Sequence, residues 1–379
     1  MKITRLMCWM TLWTLGLVQA AAAQNLIIRN ARVLDGNGGV VDGGTIVVRS
    51  GRISAFSEES VVDSDFPVLD AQGMTVIPAF TDAHRQVIQD DPDEWMEEAA
   101  ERMREYLEAG FTTVVTTDDS LEHILALRDR LESRELTGPR LLVSGAVPLA
   151  RDTGETIPEE EIRETLRQLT LTGVDGVTSV VQATPGGHEK QAMSVARDEA
   201  NQQGLLAMAH VRSVEDAIAA VEGGSGYLTR TPHAGVLDAD TARNIVEAGR
   251  TNAEYGLVMT STLGALTLAD PDSPGPENAR LLWDAGMIYG YGTDTAFPPS
   301  DALRRELIPL KLQFSNEEIL TILTKNAALA ARRDDALGTV ERGKFADLLI
   351  LDGDPLTDVD NLFEIEVVIK TGRIVVDNR

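Results

Sequence analysis

Only one of the 379 residues is cysteine, Cys8, and it stands in an N-terminal segment with the character of a removable leader. The rest of the chain has no thiol. A disulfide, a thiolate metal site and a cysteine nucleophile are thereby excluded. Basic residues are scarce as well: 34 Lys and Arg face 60 Asp and Glu, a formal net charge of −26. A surface this acidic repels phosphate backbones and anionic lipid, which argues against nucleic-acid or membrane-surface binding. Solubility or a saline habitat accounts for such charge; recruitment of a cationic substrate is the sharper reading. Beyond the leader no apolar run is long enough to cross a bilayer. No Gly-x-Gly-x-x-Gly follows an early strand, and the Gly186-Gly187 turn lacks the Lys-Ser/Thr of a phosphate loop.

The leader itself has a basic start (Lys2, Arg5), an apolar run from Leu6 to Val18, and Ala20 to Ala23 before Gln24. That pattern is a secretory signal peptide over residues 1–23, cleaved after Ala23. Its apolar run is shorter than the roughly 20 residues of a membrane span. A periplasmic or secreted protein is expected. Loss of Lys2 and Arg5 moves the charge from −26 to −28.

From Asn25 to Asp70 short alternating runs (Leu26 to Ile28, Ala31 to Leu34, Thr45 to Val48, Arg52 to Ala55) are broken by Gly and Asp turns, the signature of a β-sandwich. The C-terminal end looks alike, with Asp347 to Leu351, Val367 to Ile369 and Ile374 to Val376. Between about Met74 and Arg333 the pattern changes to apolar runs alternating with helical stretches such as Glu94 to Ala109, Ser120 to Arg134, Glu159 to Leu171, Glu189 to Gln203 and Val214 to Glu222. Such alternation means a parallel sheet with crossover helices, and its length fits a (β/α)8 barrel of the TIM type. A doubly wound open sheet is the second choice. In a barrel the polar residues at strand ends matter most, because sites lie there.

One strand end reads Pro-Ala-Phe-Thr-Asp-Ala-His-Arg-Gln, from Pro78 to Gln86. His84 and Gln86 are two apart and share a face of a strand, so the pair offers one imidazole and one amide where His-x-His offers two imidazoles. Other histidines carry blander readings. His123 lies on a helix surface, His188 opens a helix as a cap or solvated side chain, and His233 is either a solvated loop residue or a ligand turned inward. Asp118-Asp119 is either an acidic start to the helix after it or a paired-carboxylate cation site.

Four strings in order carry a resemblance: Asn30 to Gly36, Val76 to His84, Gly292-Thr293-Asp294, and Leu337 to Pro355. Together they resemble the amidohydrolase superfamily, in its imidazolonepropionase and Xaa-Pro dipeptidase-like flavour. The resemblance implies an α/β fold, a TIM-type barrel with a small β-sandwich formed by both chain ends, divided as 24–73, 74–333 and 334–379. It also implies hydrolysis of an amide or related C–N bond with divalent metal, zinc above all, an aspartate at the last strand moving the proton. Position by position, His84 fits the first histidine, Gln86 replaces the second, Thr178 or Ser179 stands for the bridging lysine, His210 fits the fifth-strand ligand, Arg230 replaces the sixth-strand histidine and Asp294 fits the eighth-strand aspartate.

The ligand set implied is His84, Gln86, His210 and Asp294 around one weakly held ion, since a neutral amide is a poorer zinc ligand than imidazole. Asp294 activates water and Arg230 orients an acidic substrate group or stabilises an oxyanion. The alternative for Arg230 is an ion pair with Asp294 or Asp118. The function expected is hydrolysis of a non-standard amide, a cyclic amide or a dipeptide. Its counterpart is a catalytically inactive member that binds a small ligand or partner without metal. The partners expected are a small-molecule or dipeptide substrate, with neither nucleic acid nor membrane, and a homo-oligomer is left open.

Overall fold

The computed structural model describes residues 24–57, 65–88, 91–151, 154–264, 270–295 and 297–379; the leader with Cys8 lies outside these. The chain begins with β1 (Leu26–Leu34), β2 (Val40–Arg49), β3 (Arg52–Ser57), β4 (Val68–Asp70) and β5 (Thr75–Pro78). It ends with β14 (Leu348–Leu351), β15 (Ile365–Lys370) and β16 (Arg373–Asp377). These join in one eight-stranded sheet, ordered β16-β15-β14-β5-β1-β2-β3 with β4 on β1. Residues from both ends, among them Ile28, Val33, Ile46, Leu348, Ile350 and Val367, share one apolar core. Thr75–Pro78, on the barrel side of the expected division at 73/74, is thus the strand that joins the two ends.

After Ala79 the chain enters the barrel: β6 (Phe80–Arg85), β7 (Phe111–Thr116), β8 (Arg140–Ala146), β9 (Gly176–Val180), β10 (Leu206–His210), β11 (Tyr227–Thr229), β12 (Val258–Thr260) and β13 (Ile288–Gly290). All neighbours pair in parallel and in chain order. Every residue of β7 is buried, which suits its run of threonine, valine and phenylalanine to a strand covered on both faces. Sequence-local signals set the crossover helices. A capping box between Ser213 and Asp216 starts Val214–Glu222, and Gly173 at φ 78° ends Glu159–Thr172. The expected helix from Glu94 to Ala109 is instead two, Pro92–Glu97 and Ala99–Glu108, meeting at the non-helical Glu98.

Closure of the barrel happens at the site. Ala83 N donates to Tyr291 O at 3.0 Å, and the carbonyl of His84 accepts from Thr293 N at 3.0 Å and Asp294 N at 2.9 Å. The backbone that seals β6 to the segment after β13 therefore also sets His84 beside Asp294.

Candidate active site

His84, His210 and Asp294 come together at the C-terminal ends of β6, β10 and β13, each offering a ligand atom within 4.8 Å of the others. Glycine makes this approach possible: a Cβ on Gly292 would meet the Cβ of His84 and of Thr260, each at 2.9 Å. His84 is fully buried and His210 nearly so. Their rings lie 5.6 Å apart, centroid to centroid. His84 Nε2 is 3.5 Å from Asp294 Oδ1, too long for a firm hydrogen bond. His84 Nδ1 faces Thr117 Oγ1 at 3.4 Å. Neither His84 Nε2 nor His210 Nδ1 has a hydrogen-bond partner among the described residues.

Arg230, just past β11, points its guanidinium into the same space. Nη1 lies 3.4 Å from Asp294 Oδ2 and 3.4 Å from His210 Nε2. Guanidinium only donates, so in any hydrogen bond between the two His210 presents its Nε2 lone pair. Burial is the largest influence on His210 and lowers it to about 4; the charges of His84 and Arg230 add to this, against Asp294. The ring is neutral at pH 7, as a metal ligand must be. Burial alone would raise Asp294, but His84, Arg230 and His210 outweigh it and hold the carboxylate below its ordinary range.

The backbone around these groups is under tension. Asp118, Arg230, Thr262 and Asp294 follow β7, β11, β12 and β13, and all four have positive φ (62°, 77°, 52° and 44°). Each such non-glycine residue costs on the order of 1–3 kcal/mol, which the surrounding fold must hold in place. Four of the ten positive-φ non-glycine residues among the described residues thus stand at this rim.

Other expected positions fall differently. Gln86 lies one residue beyond β6 and is exposed. Thr178 pairs with Met208, whereas the β9 residue level with His210 is Val180, an exposed apolar side chain. Thr178 instead meets Ser144 at 3.2 Å inside the barrel. Arg230 faces Asp294, as one of its two readings held. His123 bonds Ser120 and lies 3.2 Å from Asp93 on the surface. His188 is exposed at the start of its helix. His233 is half-buried and stands outside the three-residue cluster. Asp119 does not cap the helix that follows it; its carboxylate accepts from Val87 N and Ile88 N instead.

The structure adds a support that sequence reasoning passed over. Asp82 accepts from His84 N at 3.2 Å, Thr293 N at 3.2 Å and Thr293 Oγ1 at 2.6 Å. Arg85, buried to 2% exposure, donates to Tyr106 Oη at 3.1 Å, to Thr293 Oγ1 at 3.0 Å and to the carbonyl of Phe297. This buried network fixes the segments that carry His84 and Asp294. Asp82 and Thr293 were visible inside the two motifs; nothing in the sequence marked Arg85 as buried.

A TIM-type barrel with a His–His–Asp cluster at the C-terminal strand ends is thus the class of protein that fold and site define. The chain belongs to the amidohydrolase family, which matches it over residues 75–375 and comprises hydrolases acting on carbon–nitrogen bonds. It is 24% identical to an imidazolonepropionase of Thermoanaerobacter pseudethanolicus over 363 residues, covering 81% of this chain and 83% of that protein. Among solved structures it is similar to a putative prolidase from Bifidobacterium longum, with TM-score 0.79, 26% identity and coverage of 93% and 94%. A Xaa-Pro dipeptidase with bound methionine shares the fold, at TM-score 0.78 and 20% identity over 92% of this chain and 99% of that one.

Proposed function

We propose that this protein is an exported hydrolase of a carbon–nitrogen bond in a small molecule or dipeptide, assisted by one weakly held divalent ion. The observation that carries the reading is the convergence of His84, His210 and Asp294 within 4.8 Å at the barrel's C-terminal face. Two neutral-capable imidazoles and an ionised carboxylate suit zinc, and the unpartnered buried His84 Nε2 is an orphan that an ion would satisfy. When bound there, a divalent ion supplies Lewis acidity toward a scissile carbonyl. Gln86 adds an amide oxygen at the mouth. Arg230 weakens the hold, because the His210 lone pair and the Asp294 carboxylate that face it are the groups a cation needs.

Asp294, held ionised, accepts the proton of the attacking water. Arg230 orients an acidic group of the substrate, and Arg212 beside it adds a second positive charge that is felt at Arg230, His210 and His233. In a chain of net charge −26 this mouth is a local exception, and it favours a substrate bearing a carboxylate. Export rests on the leader, and a mature N-terminus at Gln24 in secreted protein is the expected outcome of N-terminal sequencing.

Elemental analysis of protein purified without chelator, run beside hydrolysis of a dipeptide panel, tests the core of the proposal. At most one equivalent of metal is expected, lost in His210→Ala together with turnover. Two equivalents overturn the ligand assignment. A folded protein that takes up no zinc and turns over no amide favours the other reading, a metal-free ligand-binding protein in which Arg230 occupies the ion's place.

A further inference from the structure

The opposite end of the barrel contains a hollow separate from the site above. TIM-barrel interiors are ordinarily filled by layers of side chains. Here a cavity of about 130 Å3 remains between the strand walls, bordered by Val115, Leu142, Leu206 and Met208 and by the hydroxyl-bearing Ser144. Gly176 borders it where the β9 and β10 backbones approach closely, since a Cβ there would meet the carbonyl of Leu206 at 2.8 Å. The segment that closes the barrel floor offers the small Ala330 and Ala331 to the apolar cluster of Val115, Leu142, Leu206 and Met208.

The rim of this cavity is cationic. Arg332, Arg333 and Asp175 border it. Asp175 is already saturated, accepting from Val143 N at 2.9 Å and Arg333 Nη2 at 3.0 Å, with Arg128 Nη1 at 3.4 Å. Arg332 is different. It is exposed, its backbone is held at φ 50°, and its guanidinium makes no ion pair among the described residues. The neighbouring acid, Asp334, is engaged with Tyr255. A chamber with one apolar wall, Ser144 and Asp175 also in its lining, and at its lip an arginine without an ion pair, is a concave site with one convergent positive charge.

We infer that this cavity binds a small monocarboxylate with a compact apolar body, its carboxylate on Arg332 and its body against Leu142, Leu206 and Met208. Size sets the body, since an apolar protein cavity of about 150 Å3 accommodates benzene. The guanidinium sets the head group, because it pairs carboxylate through two charge-assisted hydrogen bonds. The inference stands independently of the hydrolase reading. Its one point of contact is that Arg230 also attracts carboxylates, so the test must separate the two ends of the barrel.

Isothermal titration with sodium benzoate does so. Both arginines have positive φ, so Arg332→Gly and Arg230→Gly each remove a guanidinium while relieving the backbone, and both variants are expected to fold. Benzoate should bind the wild type saturably, and at least about tenfold more tightly than benzyl alcohol or benzylamine. Arg332→Gly should weaken it by at least about tenfold and Arg230→Gly by less than about twofold. No saturable heat with the wild type, equal binding of benzyl alcohol, or loss in Arg230→Gly with retention in Arg332→Gly would each overturn the inference.

Discussion

Arg230 is the cation that stands against the His–His–Asp cluster. Its fixed charge sits 3.4 Å from two of the three groups that an ion needs, and its left-handed backbone shows that the fold holds it there against a conformational cost. Arg230→Gly should therefore raise zinc affinity by at least about tenfold, the effect of removing one unit charge near a divalent ion in a partly desolvated site. Competition with a chromophoric chelator measures this, and unchanged affinity would place the ion elsewhere. The candidate residues themselves were legible, because His84, His210 and Asp294 each sit in a short motif that belongs at a strand end. What they touch was not. Val180 stands level with His210 because parallel register depends on strand pairing, which no local string encodes. Arg85 reads as a solvent-facing arginine until Tyr106, Thr293 and Phe297, from elements far apart in the chain, close over it.

At the scale of elements, the strand ends are held by side chains from their neighbours. Asp119, after β7, ties the chain leaving β6 by accepting from Val87 N at 3.1 Å and Ile88 N at 2.7 Å. Burial raises this carboxyl from its ordinary 3.8 to about 7, against the pull of both backbone donors. A carboxyl raised by folding contributes stability when protonated; the contribution is complete below the unfolded value and disappears as pH rises through the folded one. Asn keeps an oxygen for both N–H groups and does not titrate. The melting temperature of Asp119→Asn, relative to wild type, should therefore climb between about pH 4 and about pH 7 and level off above that. Glu306, raised to about 7 by burial, is present in both proteins and cancels from the comparison. A difference that stays constant across that range would mean that Asp119 is ionised throughout. Sequence pointed to a helix start here because Asp before Ser is a common cap. The true partner lies on another strand, so the local signal had no access to it. Helices with their own stop and start residues, such as Val214–Glu222, were read to the residue.

At the scale of the whole molecule, one strand makes the two ends of the chain a single unit. β5 pairs in parallel with β1 and antiparallel with β14, then runs through Ala79 directly into β6 and the site. Asp347, just before β14, reinforces the join: its side chain lies 3.2 Å from Arg140 at the start of β8, and its carbonyl accepts from Ala79 N at 3.0 Å. That the ends pair at all was legible only through the family resemblance, since alternating strands at both ends do not say which edge meets which. Truncation after Arg333 tests how far the barrel depends on this arrangement. It removes Leu348, Leu349, Ile350, Leu351, Val367, Val368 and Ile369, all with no exposed surface. At about 1.5–3 kcal/mol each, their burial is worth roughly 10–20 kcal/mol. That matches or exceeds the ~5–15 kcal/mol by which domains of ordinary stability stay folded. Leu349, Leu351 and Val368 also belong to the barrel's own core with Phe80 and Phe111, so the loss reaches the floor under His84. Truncated protein should be insoluble or lack a cooperative thermal transition by calorimetry, with β5 left as an open apolar edge. A soluble 1–333 chain that melts like the full-length protein would show that the barrel folds without the C-terminal strands and that the shared sheet is an accessory to it.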